Sequence, residues 1–450
     1  MSVEAVESKC RTVGGTECSW CRGVRGGTGI AVLALLTSKP PLISNLQTAL
    51  RKLQNSHPIL RSRIHHSTTE ATTFSFVTSP TSSITIESHD GAKILAGNEN
   101  DDGVSPFHRI MEHELNRNTW RDPSADMFVA SVYAMPDATA SVVVLRLHVA
   151  ACDRTTAASL LRELLVVMEA EEEVVPEGEV SLAIEDLVPG GKAKKPMWAR
   201  GIDVLSYSVN SLRLTNLKFH DTKTDRFSQV VRLQLNHTDT KRVMAGCERS
   251  KIKLCGALGA AGLMAAHSTR SSSKKYGVIT LTDCRSSLDP PLTPHNFGFY
   301  HSAILNNHVM KGGESLWELA KRTYGAFANA KNNGKHFSDM ADMNFLMCKA
   351  IENPGLTSSS SLRTSIISVF EDTVIDDGGE KYREIGLEDY MGCASVHGVG
   401  PSIAMFHTIR DGALDCLWVY PAPLHSREQM QDLVNKTKAI LIEAGKSYQD

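Results

Sequence analysis

The stretch Leu145-Arg146-Leu147-His148-Val149-Ala150-Ala151-Cys152-Asp153-Arg154 decides how the rest of the chain is read. Before it, Ser141 to Leu147 is β-branched and apolar, the pattern of a buried strand. After it, Ala157, Leu160, Leu161, Leu164, Leu165 and Met168 recur at helical spacing. Thr155 or Thr156 is placed to cap that helix. His148 and Asp153 therefore stand where a strand ends and a helix begins, a place where α/β folds often keep polar chemistry.

Working outward, the same alternation of strands and helices continues on both sides. Ile30 to Leu36 reads as a strand, and Ser44 as the cap of a helix with Leu46, Leu50 and Leu53 on one face. Pro58 stops that helix. Thr73 to Val77 and Ile84 to Ser88 read as a meander, and Ala96 to Pro106 as a loop. Asp126 to Ala134 is a strand expected to pair with Ser141 to Val149 through the turn Met135-Pro136-Asp137. Glu169 to Glu179 and Asp186 to Trp198 are charged, with Pro189, Gly190 and Gly191, and read as a solvated crossover between domains.

The pattern then restarts. Phe227 to Leu235 is a strand, and Thr238 or Asp239 the cap of the next helix. Leu254 to His267 is an Ala/Gly-rich helix suited to close packing on a sheet, and Gly277 to Leu281 a strand. Ser315 to Ala330 is helical and Leu362 to Phe370 extended. Pro401 to Thr408 and Ala413 to Tyr420 form a hairpin turning at Asp411-Gly412. Ser426 and Gln429 read as a capping box for a last helix. The fold class is α/β with mixed sheets.

Composition narrows the function. A chain of 450 residues exceeds the ~250–300 at which single cores stop growing. Two domains are expected, at 1–185 and 201–450, with 186–200 as the linker. A formal net charge of −2 provides no footprint for nucleic acid. No run approaches the ~20 apolar residues of a membrane span. Met1 to Arg11 is polar and unlike a signal peptide, and Ser2 leaves no site for myristoylation. Ten scattered cysteines point to reduced thiols and a cytoplasmic protein. Cys18-Ser19-Trp20-Cys21 lacks the second pair that zinc needs and the βαβ setting of a redox motif, so Trp20 reads as core packing. Neither Gly23 to Gly29 nor Gly190-Gly191-Lys192 has the frame of a phosphate loop. No Gly-x-Ser-x-Gly elbow occurs, and no metal site is expected.

Three strings carry a resemblance. His148 to Arg154 resembles the His-His-x-x-x-Asp-Gly motif of acyltransferases related to chloramphenicol acetyltransferase, a superfamily that includes plant BAHD enzymes, wax-ester-type acyltransferases and the condensation domains of peptide synthetases. His57-Pro58-Ile59-Leu60-Arg61 resembles the string that closes that family's first helix. Asp283-Cys284-Arg285, the Pro290-Pro291-Leu292 loop and Asn296-Phe297-Gly298-Phe299-Tyr300 resemble a third. The BAHD string Asp-Phe-Gly-Trp-Gly is not found, which points to the plant condensation-like or wax-ester-type branch.

This resemblance implies two chloramphenicol acetyltransferase-like domains with a tunnel between them. It implies an Asp153–Arg285 ion pair as a structural clamp, and a tunnel lined by Val149, Cys152, Asn296, Gly298, Tyr300 and His301. Acyl-CoA is the implied donor substrate, a small alcohol or amine the acceptor, with no bound cofactor and a monomeric state. The sequence departs from the motif in two places: Val149 falls on the catalytic histidine and Arg154 on the glycine. His148 is then the displaced base to consider, with His295, His301 and His397 as further imidazoles and Cys152 as a thiol. Neighbours on a strand point to opposite faces, so His148 faces away from the direction Val149 takes unless a bulge intervenes. Two readings stay open: an acyl-CoA-dependent acyltransferase, or a non-catalytic relative that binds a small ligand or partner. The discriminating geometry is whether an imidazole faces the tunnel.

Overall fold

The computed structural model describes residues 8–67, 73–96, 103–122, 125–136, 140–169, 178–268, 270 and 272–447. Residues 1–7, the middle of the 96–106 loop, Asp137 of the expected turn and residues 170–177 of the acidic run lie outside that set.

Strand Ser141–His148 sorts its side chains by a period of two. Val143, Leu145 and Leu147 join one core with Leu46, Leu50 and Leu53 of helix Ile43–Ser56 and Leu160, Leu161 and Leu164 of helix Arg154–Glu169. Val142 and Val144 join a second core with Ile110 and Met111 of helix Pro106–Asn116. The strand sits at the centre of a five-stranded sheet ordered Leu387–Val396, Thr28–Thr37, Ser141–His148, Phe128–Ala134, Ile86–Asp90. Phe128–Ala134 pairs with it antiparallel, and Ile86–Asp90 adds parallel at the edge, so the sheet is mixed.

The second large sheet runs His301–Met310, Lys274–Asp283, Arg363–Phe370, Gly400–Arg410, Ala413–Ala422, Phe227–Leu235, with Val374–Asp376 beside Gly400–Arg410. Helix Leu254–His267 lies buried on it. Its small residues allow the approach: a Cβ on Gly262 would stand 2.8 Å from Ile367 Cδ1. The hairpin Gly400–Arg410/Ala413–Ala422 turns at Asp411 and Gly412 with φ of 46° and 76°, the conformation a two-residue hairpin loop demands.

The two large sheets share chain. Strand Leu387–Val396 belongs to the first sheet, and residues 397–399 carry the backbone across to Gly400–Arg410 in the second. Arg363, 4 % exposed, fastens this crossing by donating to the carbonyls of Val396, Gly398 and Pro401. The second core continues over the seam, where Val24, Ile30 and Val149 meet Val230, Ala404 and Val419.

Several local expectations change. The meander does not form: Thr73–Thr78 pairs on both sides, with Lys9–Thr12 and Ser62–Ser67. It therefore has no free edge for Ile86–Asp90. The helix near Ser44 starts after Leu42, with Ser44 inside its first turn. Asn236, not Thr238 or Asp239, caps the helix His237–Arg249 by accepting from Asp239 N at 2.8 Å. Ser426 does cap the last helix, but the Gln429 side chain donates to Lys218 O rather than back to Ser426. In the 186–198 stretch, Leu187 is buried with Tyr300 and Phe337 rather than solvated. The Cys18/Cys21 segment is a helix, Gly15–Arg25. Among the described residues no helix is long and apolar enough to cross a membrane.

Candidate functional site

Asp153 caps the helix Arg154–Glu169 and stands at the hub of the site. Its Oδ1 accepts from Thr156 N at 2.8 Å and from Arg285 Nη2 at 3.0 Å. Its Oδ2 accepts from Arg285 Nη1 at 2.8 Å and Tyr300 N at 2.8 Å, and His301 Nδ1 lies 3.0 Å away. The capping role expected of Thr155 or Thr156 thus falls to Asp153; Thr155 Oγ1 donates to Asp283 instead. Burial alone would raise the Asp153 carboxyl, but the Arg285 charge, with His301 beside it, holds it well below the usual carboxylate range. The structure thus brings Asp153 and Arg285 together across 132 positions of sequence.

His301 is the first residue of strand His301–Met310, paired with Asp283. An ionised carboxylate only accepts, so its contact with Asp153 places the ring proton on Nδ1 and leaves the Nε2 lone pair free. Among the described residues Nε2 has no protein partner, and the ring lines a cavity of about 750 Å³. Ile279, Leu305, Met340, Met343, Phe345 and Met347 supply apolar wall to this large chamber.

A small chamber of about 170 Å³ adjoins it, lined by Val149, Cys152, Arg154, Phe370, Phe406 and their neighbours. Trp20, Thr28, Leu281, Phe299, Ser368 and Pro401 belong to both walls, so the two form one passage. Trp20 and Phe299 meet there at 5.2 Å between ring centroids. The His301 ring packs edge-on against Phe370 at 5.6 Å. It therefore reaches the junction of the chambers.

The remaining site expectations divide. Val149 and Cys152 line the small chamber and His301 the large one. Asn296, Gly298 and Tyr300 line neither. They build the clamp from behind: Asn296 O accepts from Arg285, Gly298 O accepts from Asp153 N and Thr156 Oγ1, and Tyr300 lays its ring against the Arg285 guanidinium. Gly298 carries a φ of 152°, which favours glycine at this bend.

His148 is not placed to act as a base. It is fully buried, edge-on to Trp120, and its Nδ1 accepts from Ala150 N at 3.1 Å. Burial, with Arg25 adding, pulls its pKa down to about 3. It lines neither chamber, because it follows Val144 and Arg146 on the strand face away from Leu145 and Leu147. His295 is a surface residue bound to Glu163, and His397 is half-buried against Ser228 Oγ. Burial pushes the Cys152 thiol well up, so it carries no thiolate near neutrality. Among the described residues, Asp203, Asp339 and Asp342 have metal-like spacing, but Lys195 Nζ already stands among all three.

Sequence reading missed Trp20, Thr28 and Ser368 as shared wall, the methionines of helix Met340–Glu352, and Arg154 as a chamber residue. For Arg154 a signal existed, since it departs from the motif.

No protein-family model and no curated protein matches the chain. Solved structures do. Trichothecene 15-O-acetyltransferase TRI3 from Fusarium sporotrichioides superposes with a TM-score of 0.73 at 11 % identity, over 99 % of this chain and 97 % of that one. The cyclization-docking bidomain of EpoB, from the Sorangium cellulosum peptide synthetase, gives 0.71 at 14 %, over 97 % and 85 %. The first condensation domain of the calcium-dependent antibiotic synthetase gives 0.65 at 14 %, over 98 % and 97 %. At these identities the likeness establishes the fold: a mixed α/β architecture of the chloramphenicol acetyltransferase-like condensation type.

Proposed function

We propose that the protein is an acyltransferase that moves an acyl group from a CoA thioester to a small alcohol or amine, with His301 as general base. The observation that carries this reading is the Asp153–His301 contact, with Nε2 left open on the large chamber. An acceptor hydroxyl gives its proton to Nε2 as its oxygen attacks the thioester carbonyl. Asp153 stays ionised and stabilises the imidazolium. The tetrahedral oxyanion needs donors at the junction. Trp20, Thr28 and Ser368 line that junction, and Thr28 Oγ1 is buried without a hydrogen-bond partner among the described residues. Collapse expels the thiolate, which takes the proton from Nε2 and leaves as the free thiol. The apolar large chamber suits the acyl chain, its methionines adapting to chain shape. The lack of the BAHD string Asp-Phe-Gly-Trp-Gly in this sequence favours a plant condensation-like or wax-ester-type relative as the branch.

A second reading rests on Val149. It occupies the small-chamber wall where the resembling motif has its catalytic histidine, which favours a protein that binds a ligand without turning it over. Thiol release from an acyl-CoA panel with mixed alcohols and amines separates the two. Turnover in the native protein that falls about 10²–10⁴-fold in His301→Gln supports the first reading. No native turnover, with turnover appearing in Val149→His, supports the second.

A further inference from the structure

We infer that the small chamber recognises a carboxylate through Arg154, so that the acceptor molecule carries an acidic group. For the ligand's role as acceptor this rests on the acyltransferase reading; for its binding it rests on the chamber alone.

Arg154 lines the small chamber with its guanidinium over the Phe370 ring at 5.1 Å and the Phe406 ring at 6.0 Å. Nη2 donates to His407 O and to Thr408 Oγ1. Nη1 and Nε have no partner, and no carboxylate pairs with this cation among the described residues. The other charged groups of the wall are already engaged. Arg410 pairs with Asp389 and Asp415, and Asp415 also with Arg232. Asp376 accepts from Tyr382 Oη, Tyr390 Oη and Gly378 N. Arg162, at the rim, donates to Ile375 O.

A half-buried guanidinium without a counter-ion carries an uncompensated charge, and the two rings attract it without neutralising it. An entering anion supplies what is missing through a charge-assisted hydrogen bond from Nη1, since Nε is itself covered. Among the described residues Arg154 and the exposed Arg162 of this wall have no carboxylate partner, and the buried Asp376, held by neutral donors, has no cation; the single excess positive charge matches a monoanion. A phosphate dianion would leave a second charge buried and uncompensated. Phe370 also links the two chemistries: Arg154 lies over its ring and the His301 ring packs T-shaped against it. A short molecule anchored by its carboxylate at Arg154 thus extends toward Nε2 of His301.

The test is isothermal titration of the native full chain with hexanoate and, as the uncharged match, 1-hexanol. Hexanoate is expected to bind about 10–100-fold more tightly, and Arg154→Gln to abolish that preference. Equal affinities in the native protein overturn the inference, as does a preference that survives Arg154→Gln. The native comparison needs no variant, so it decides the matter even where Arg154→Gln fails to fold. His301→Gln is expected to keep the hexanoate preference. That result without any native turnover would sink the transferase reading and leave the carboxylate site standing.

Discussion

Replacing Asp153 with Asn tests the hub directly. The amide matches the carboxylate in size, so no cavity opens. Its difficulty is one of donors. Both Asp153 oxygens face donors only: Arg285 Nη2 and Thr156 N at Oδ1, and Arg285 Nη1, Tyr300 N and His301 Nδ1 at Oδ2. Whichever way the amide is turned, its NH₂ opposes at least two of them. Each buried donor left unsatisfied costs about 1–3 kcal/mol, and breaking a buried ion pair from one side about 3–5 kcal/mol. Asp283, 3.2 Å from Arg285 Nη1, softens the second cost. We expect Asp153→Asn to lose about 3–5 kcal/mol in urea unfolding at neutral pH. Because the carboxyl is held low in the folded state, its contribution is complete above the ordinary carboxylate pKa of about 4 and is lost as pH falls below it. The loss measured for Asp153→Asn should therefore shrink in acid. Asp153→Leu combined with Arg285→Met should cost less than the sum of the single changes by about 2–3 kcal/mol. A loss below about 1 kcal/mol for Asp153→Asn, flat with pH, would refute the hub.

Two further outcomes follow from buried groups. Burial holds His148 and His407 neutral with pKa values near about 3, and His308, His397 and His425 near about 4. The unfolded chain binds these protons first, so stability should fall as pH drops from about 6.5 toward 4, by about 1.4 kcal/mol per pH unit for each histidine; urea midpoints that stay level between about pH 7 and 5 would contradict this. Gly27→Ala should destabilise by about 2–4 kcal/mol, because φ is +95° and the new Cβ would stand 2.0 Å from His397 Nε2; an unchanged thermal midpoint would show that the turn relaxes freely.

What was legible in the sequence was local. Phe227–Leu235 and Leu254–His267 match their expected bounds because alternation and small-residue content are properties of neighbours along the chain. The hairpin at Asp411-Gly412 needed only two residues able to take positive φ. Pairings between distant segments left no such trace. Leu387–Val396 is an ordinary strand until Thr28–Thr37 is laid beside it, and Thr73–Thr78 reads the same whether its partner follows or precedes it. In the site, the Asp153–Arg285 pair came from resemblance, not from spacing. His301 was one imidazole among several, since nothing local distinguishes it from His295, six positions away on the surface. Its role depends on a carboxylate 148 residues upstream.

On the proposed reading, that dependence explains how a stretch resembling the acyltransferase motif can carry valine in place of its histidine and keep the aspartate. Asp153 is required by the fold whatever happens at position 149. It caps a helix, anchors Tyr300 N and neutralises a guanidinium that is 3 % exposed. Any histidine that reaches the remaining lone pair of Oδ2 inherits a fixed tautomer and a permanent counter-charge. His301 reaches it because the ladder between His301–Met310 and Lys274–Asp283 sets His301 opposite Asp283, two residues before Arg285. Val149, meanwhile, fills its place with methyl groups, and a Cβ on Gly29 would stand only 2.5 Å from Val149 Cγ1. The wall there is apolar, while the imidazole stands on the roomier side of the junction. On the proposed acyltransferase reading, proton transfer belongs at the large chamber and the small chamber holds the acceptor by its charge. In this arrangement Arg154 stands where the resembling motif has glycine, beside Asp153, and opens with Cys152 into that space.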